Sequence, residues 1–279
     1  MKYHFGVLGG GKRYQELARL LEQDGHAVYT YEPEEGRASL DRALSAEIVL
    51  LPIPLSPDGE RISLPGQFGI GGILARLGPD QMILAGQVPH KWADAAAKRG
   101  LRLVDFLSRE PVAVANAAAT ADAALALSLE TTGETLLGKR CLVLGFGRIG
   151  KLLCRRLQGA GARVSAAARR KEDRAWIRAL GYDALDIGRL RGKLMSFDEI
   201  YNTVPAPVLD ADALGELRRG CLLVELASRP GICPEAAEAL GMNLIKASGL
   251  PGRMVPRTAA KILREAVYDI LREERGESI

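Results

Sequence analysis

Residues 139–153 read Lys-Arg-Cys-Leu-Val-Leu-Gly-Phe-Gly-Arg-Ile-Gly-Lys-Leu-Leu, and no other stretch limits the fold so tightly. An apolar run of strand type meets three glycines in the spacing G-x-G-x-x-G, and a helical pattern follows. The spacing alone is weak; its place between strand and helix gives it meaning. Gly145 permits a tight turn, Gly147 lets backbone approach a pyrophosphate, and Gly150 allows helix and strand to pack closely. Backbone N–H groups at the helix start, and the helix dipole, then meet phosphate charge. Gly145, Gly147, Arg148, Ile149 and Gly150 are therefore candidate cofactor contacts.

The rest of the chain repeats the alternation. Strand-like runs at residues 3–8, 26–31, 48–51, 82–85 and 101–106 are separated by helical patterns at 14–23, 66–77 and 91–99. After an alanine-rich helix over 116–129, strands are expected at 141–144, 163–167, 200–203, 222–226 and 244–246. Strands alternating with helices imply βαβ units and parallel sheets. The expectation is an α/β protein with two Rossmann-like parallel-sheet domains, the second a dinucleotide-binding domain. Residues 1–115 would form a substrate or partner domain and 116–255 the nucleotide domain with its linking helix. The amphipathic helix of 256–279 would pack back on the first domain.

The strand after the fingerprint bears on the choice of nucleotide. A site for NAD places Asp or Glu about 20 residues on, where it accepts from the ribose 2′-OH. Here the strand ends Ala168-Arg169-Arg170 with no acid. A carboxylate would repel a 2′-phosphate, whereas two guanidiniums can fork onto it. NADP is the expected cofactor, with Ala168, Arg169 and Arg170 at its adenosine end.

Charge argues against other partners. The 38 basic and 34 acidic residues form no long run of one sign, and nucleic-acid or membrane-surface binding calls for clustering. No apolar run is expected to span a bilayer, which with the strand-like start suggests a cytoplasmic location. The four cysteines, Cys141, Cys154, Cys221 and Cys233, make no C-x-x-C pair and read as buried reduced thiols rather than metal ligands. No metal site is expected.

Three further segments end strands in polar turns: Asn202-Thr203-Val204-Pro205, Glu225 to Gly231 with Ala227, Ser228 and Arg229, and Gly249 to Thr258. Strand carboxyl ends face the ligand crevice in such folds, and Arg229 suits bidentate carboxylate binding. The Gly9-Gly10-Gly11-Lys12-Arg13 cluster approaches a P-loop in spacing, but Arg13 stands where a Ser or Thr would hold magnesium. Its turn is left as an anion-binding candidate. His4, His26 and His90 are the only histidines. All precede the cofactor half, which weighs against a dehydrogenase that uses a histidine to take a hydroxyl proton.

Together, Gly9-Gly10, the fingerprint, Ala168-Arg169, Asn202 to Pro205, Leu226 to Gly231 and Gly249 to Gly252 closely resemble the A-type dipicolinate synthase family, in order along nearly the whole chain. The resemblance implies a sporulation enzyme that oxidises (4-hydroxy-tetra- or di-)hydrodipicolinate to dipicolinate with NADP. It also implies a small-molecule dicarboxylate substrate, the flavoprotein-like B-type component of dipicolinate synthase as partner, and the mother-cell cytoplasm as location. Arg229 and Arg109 would meet carboxylates, while Ser228, Asn202 and Thr203 would orient substrate or nicotinamide. The family's Asn-x-x-Pro-Thr-x-Glu-Gly reads Asn116-Ala-Ala-Ala119-Thr120-Ala-Asp122-Ala123 here. Asn116 and Thr120 match, and Asp122 replaces the acid with one methylene fewer. Another dehydrogenase of the 2-hydroxy-acid or alanine dehydrogenase group, or a non-catalytic NADP-binding sensor or scaffold, are the alternatives.

Overall fold

The computed structural model describes residues 2–274 and Gly276, with the side chain of Arg37 excepted. The described residues form two compact units. One takes in the residues up to Asn116 and those from Pro251 onward; the other runs from Ala117 to Leu250.

The first unit begins with β1 (His4–Val7), α1 (Lys12–Gln23), β2 (Ala27–Thr30), α2 (Arg37–Leu44) and β3 (Ile48–Leu50). It continues through α3 (Ile70–Leu74), β4 (Met82–Ala85), α4 (His90–Lys98) and β5 (Arg102–Asp105). The five strands pair in parallel in the order β2-β1-β3-β4-β5, so the chain reverses its direction of winding beside β1. Such a reversal opens a crevice at the strands' carboxyl ends. Side chains alternate across the sheet. Phe5, Val7, Leu50 and Leu84 pack on one face, and Leu8, Val49, Leu51 and Ile83 on the other. Burial on both faces is what makes these strands continuously apolar.

The second unit follows α5 (Glu110–Thr132), which crosses from one unit to the other. It contains β6 (Arg140–Leu144), α6 (Arg148–Gly159), β7 (Arg163–Ala168), α7 (Lys171–Ala179), β8 (Asp183–Asp186) and β9 (Glu199–Asn202). Then come α8 (Ala211–Gly215), β10 (Leu222–Glu225), α9 (Pro234–Ala239) and β11 (Asn243–Lys246), after which α10 (Leu250–Met254) leads back to the first unit and its last helix, α11 (Pro256–Glu274). Its parallel sheet has the order β11-β10-β9-β6-β7-β8, the doubly wound arrangement of a dinucleotide-binding domain. The reversal falls between β6 and β9. Leu142, Leu144, Ile200 and Leu223 pack there under Leu194, Leu214 and Leu217.

Helix α11 lies on α1 within the first unit. Its residues Leu263, Val267 and Ile270 repeat at helical spacing and join Leu17 and Leu21 in one core. Each such side chain contributes about 1.5–3 kcal/mol on burial. The Tyr268 hydroxyl, 3.1 Å from His26 Nε2, donates to Asp24, fastening α11 at its middle.

The structure differs from the sequence reading at three places. The helix expected over 66–77 contracts to the five residues of α3. Gly66, with φ 98°, and three further glycines at 69, 71 and 72 dilute its propensity, and each costs about 1 kcal/mol relative to alanine. Strand β8 was not expected; it is a short edge strand with an aspartate at each end. Helix α5 is longer than anticipated and is, by length and composition, apolar enough to cross a bilayer, contrary to the expectation of no such stretch. Its alanines supply the hydropathy. Half of that window is buried inside the protein, as befits a core helix whose Ala117, Ala121 and Ala124 are packed away from solvent.

Candidate functional site

The best-built candidate lies at the carboxyl ends of β6, β7, β9 and β10 in the second unit. It starts from the turn between β6 and α6, whose three glycines do different work. Gly145 has φ 96°, and a Cβ there would stand 2.4 Å from Thr203 Oγ1. At Gly150 a Cβ would meet the Gly145 carbonyl oxygen at 2.2 Å, so the helix can start this close to the strand only with glycine. A Cβ at Gly147 would meet nothing of the protein within 4 Å. Two glycines are thus explained by the chain's own packing, and the third is left facing open space. Gly147 caps α6 without any side-chain hydrogen bond, and no acid occupies the first turn. The opening N–H groups and positive dipole end therefore present themselves to an anion. This cradle fits a pyrophosphate. Arg148 is exposed and Ile149 half-buried at the same helix start.

At the end of β7, Ala168 is buried and Arg169 and Arg170 are exposed. The turn after it is pinned from below: Arg174 Nη1 donates to the carbonyls of Ala168, at 3.0 Å, and Arg169, at 2.6 Å. Arg174 also pairs at 3.4 Å with Asp186, which ends the neighbouring strand opposite Ala168. The nearest carboxylate on β8 is thereby matched to a cation. Arg170 pairs with Glu172 at 3.5 Å; the backbone N–H of Glu172 first, and then that guanidinium, hold the Glu172 carboxyl below its usual range. Arg169 has no ion pair among the described residues.

The loops after β9 and β10 are joined by a residue the sequence reading passed over. Glu225, only 5% exposed, accepts from Asn202 Nδ2 at 2.8 Å, Ala227 N at 3.0 Å, Gly231 N at 2.8 Å and Ile232 N at 3.0 Å. Charge-assisted bonds of this kind are the stronger class. An acid at the end of an apolar strand, followed closely by Pro and Gly, was the available signal. Asn202 is fully buried. Its amide also donates to the Val204 carbonyl at 3.0 Å and accepts from Val204 N at 3.1 Å. Asn202 therefore faces inward, a correction to its expected role against ligand, because its polar atoms are taken up in holding two loops together. Thr203 Oγ1 donates to the Leu144 carbonyl at 2.8 Å, locking the β9 loop to the glycine turn. Val204 is half-buried and Pro205 exposed. Ala227 is buried, while Ser228 and Arg229 project into solvent, and Arg229 has no hydrogen bond or ion pair among the described residues.

Other candidates are committed elsewhere. Arg109 Nη1 donates to Glu273 at 2.8 Å, and its second terminal nitrogen bonds the other oxygen of the same carboxylate. That fork raises the guanidinium above its usual value and lowers the Glu273 carboxyl. Arg109, expected to meet a ligand carboxylate, here meets the carboxylate of Glu273 on α11. Asp122, expected to take part in proton transfer, is paired with Arg156 of α6. Both its oxygens face that guanidinium. Asn116 is half-buried and Thr120 buried on α5. Cys141, Cys154 and Cys221 are buried and all four thiols are free; burial pushes Cys154 and Cys221 up to about 12, so they stay protonated. No group of three or more potential metal ligands occurs among the described residues.

The Gly9–Gly11 turn opens α1 in the first unit beside a cavity of about 150 Å³ lined by Gly9, Gly11, Tyr14, Thr30 and Leu64 among others. Tyr14 is buried against Gly9 and donates to the Leu51 carbonyl at 2.7 Å.

Residues 4–107 match the family described as the N-terminal domain of the A-type component of dipicolinate synthase. Residues 111–245 match the D-isomer specific 2-hydroxyacid dehydrogenase NAD binding domain. Over 184 residues, 66% of this chain, the sequence is 32% identical to the A-type dipicolinate synthase polypeptide of Bacillus subtilis (strain 168), and the match spans 61% of that relative's length. The crystal structure of the A-type dipicolinate synthase polypeptide from Bacillus halodurans superposes with a TM-score of 0.81 at 24% identity, covering 96% of this chain and 97% of the other. The corresponding Bacillus subtilis structure gives 0.79 at 24% identity, covering 100% and 98%. At that identity the two superpositions speak for the fold.

Proposed function

The chain is like the A-type component of dipicolinate synthase, with a 2-hydroxyacid dehydrogenase NAD-binding domain, and from that premise we propose that it oxidises a hydrated or dehydrated hydrodipicolinate to dipicolinate with NADP. The observation that carries the reading is the turn at Gly147. It is open to a ligand where its two neighbouring glycines are filled by the protein, at the uncapped start of α6.

When bound, the nicotinamide would accept a hydride. The chain's own residues do the remainder. The α6 N-terminus holds the pyrophosphate, and Arg169 meets the 2′-phosphate. The Thr203 hydroxyl fixes the height of the β9 loop beside the turn. Arg229, held out on the loop that Glu225 organises, binds a carboxylate of the substrate, and Ser228 orients it. Asn202 is a positioning residue behind these loops.

Loss of hydride from one ring carbon and a proton from another, with loss of water as well from the hydrated form, makes an aromatic pyridine, so the product supplies much of the driving force. The protein's task is orientation. Because Asp122 and Glu225 are both engaged, the ring proton passes to water. Sporulation, the mother-cell cytoplasm and a flavoprotein-like B-type partner complete the reading by family likeness. The test mixes the full chain with that partner, precursor and either NADP or NAD, and follows pyridine dicarboxylate absorbance. Growth with NADP, lost in Arg229→Gln, is expected. No product with either nucleotide, or full turnover in Arg229→Gln, overturns the reading.

A further inference from the structure

Arg13 is the second residue of α1 and is 93% buried, with 7% of its surface exposed. It makes no hydrogen bond and no ion pair among the described residues. A lone buried cation is costly, and its place raises the cost. It sits in the first turn of a 12-residue helix, at the positive end of the dipole, next to Lys12, with no acidic residue or side-chain cap there. Burial pushes its guanidinium below the usual value.

The site is nevertheless built to receive it. A Cβ on Gly252 would stand 3.0 Å from both Nε and Nη2 of Arg13, so the glycine of the Gly249-Leu-Pro-Gly252 segment is what leaves room for the guanidinium. The guanidinium nitrogens also stay within reach of solvent. Among the described residues, the sealed side-chain nitrogens and oxygens without a partner are Ser63 Oγ and Arg264 Nε alone.

We propose that Arg13, seated beside Gly252, is a carboxylate-binding residue of the first unit, and that a small carboxylate ligand supplies the counter-charge missing among the described residues. The role rests on the reading given under Proposed function, where the ligand is a pyridine dicarboxylate. Planar guanidinium and carboxylate match as a two-bond fork. An anion placed there relieves the buried charge and the helix end together.

The experiment uses the full chain as wild type, Arg13→Met, Arg13→Lys and Gly252→Ala. Thermal unfolding is measured alone and with pyridine-2,6-dicarboxylate, malonate or inorganic phosphate, and NADPH affinity is measured separately. Without ligand, Arg13→Met should melt higher than wild type, because an uncompensated charge has gone. Dicarboxylate should raise the wild-type midpoint. Its affinity should fall about tenfold or more in Arg13→Met, fall in Gly252→Ala, and recover in part in Arg13→Lys. NADPH affinity should be unchanged throughout. An Arg13-dependent response to malonate but not to the pyridine compound supports the carboxylate site and removes the dipicolinate reading. A lower ligand-free midpoint in Arg13→Met, equal dicarboxylate affinity in wild type and Arg13→Met, or a response to phosphate alone overturns the proposal.

Discussion

The chain makes one kind of junction twice. A buried parallel strand runs into a glycine-rich turn, and a 12-residue helix follows, once as β1-α1 and once as β6-α6. Both helices begin without a side-chain cap. Yet at the first junction a Cβ on Gly9 would fall 2.0 Å from the Tyr14 ring, and that ring is anchored by its hydroxyl to Leu51. The space over the first turn is filled by the helix's own aromatic side chain. At the second junction the matching glycine, Gly145, packs on Thr203 instead, and the cap glycines of both helices, Gly11 and Gly147, face open space. Glycine content therefore does not distinguish a nucleotide cradle from a packed turn; the third residue of the helix does, Tyr14 in α1 and Gly150 in α6.

The largest effects should come from filling the glycines that pack against protein. Gly150→Val should cost about 3 kcal/mol and abolish NADPH binding, since the Gly145 carbonyl cannot give way without moving the turn. Gly9→Ala should cost about 1–3 kcal/mol and leave NADPH affinity alone. Loss of nucleotide binding in Gly9→Ala, read by nicotinamide fluorescence, would erase the distinction between the junctions. Next come the open positions. Gly147→Ala should keep stability within about 0.5 kcal/mol while NADPH affinity falls about tenfold or more, whereas Gly10→Ala, which also meets nothing within 4 Å, should change neither. Tight NADPH binding by Gly147→Ala would mean the cradle lies elsewhere.

A smaller effect is expected at the adenosine end. Arg169→Asp should reduce the preference for NADPH over NADH by about tenfold or more, with stability unchanged because the side chain has no ion pair to lose. An unaltered ratio in competitive titrations would remove Arg169 from the site.

The smallest effect separates the two units by pH. Desolvation lowers the His26 pKa from 6.5 against the pull of Asp24. Its Nδ1 accepts from Tyr3 N at 3.2 Å, which leaves the proton on Nε2 facing Tyr268. Protonating Nδ1 forfeits the first bond, so the unfolded chain binds the extra proton more readily. The stability from His26 is complete above pH 6.5 and is lost as pH falls below that value through the lower folded one. The second unit has no histidine. Amide exchange compared at pH 7.5 and 5.5 should show protection falling in α11 and β1 first; equal change in β6 and β9 would contradict this.

The sheets and the nucleotide turn were legible in the sequence because their signals are local. Leu142, Val143 and Leu144 are apolar in succession, and Gly145, Gly147 and Gly150 fall at fixed spacing. Long-range pairing was not legible. Arg109 and Arg229 look alike in the sequence as cations near the ends of α/β segments, and only the fold brings Glu273 to one and, among the described residues, no carboxylate to the other. Asp122 was already off the line of Asn116 and Thr120 on a helical count; its partner, Arg156, is 34 residues away. Asn202 was placed correctly at a strand's carboxyl end but turned the other way, because the acid that claims its amide belongs to the next strand. Glu225 was hidden for the same reason: its meaning lies in four donors, three of them backbone N–H groups that no side-chain pattern records.

Those four donors have a consequence for recognition. One carboxylate ties Asn202 to three backbone positions on either side of Ser228 and Arg229, so the two ends of that loop are held to the same point. On the function proposed above, a ligand captured by Arg229 would meet a loop already tied down at both ends, and the freedom lost on capture would fall mainly on the guanidinium's own rotamers. Selectivity at that position thus depends on geometry set during folding, and a change to Glu225 would alter it without touching any atom that meets the ligand.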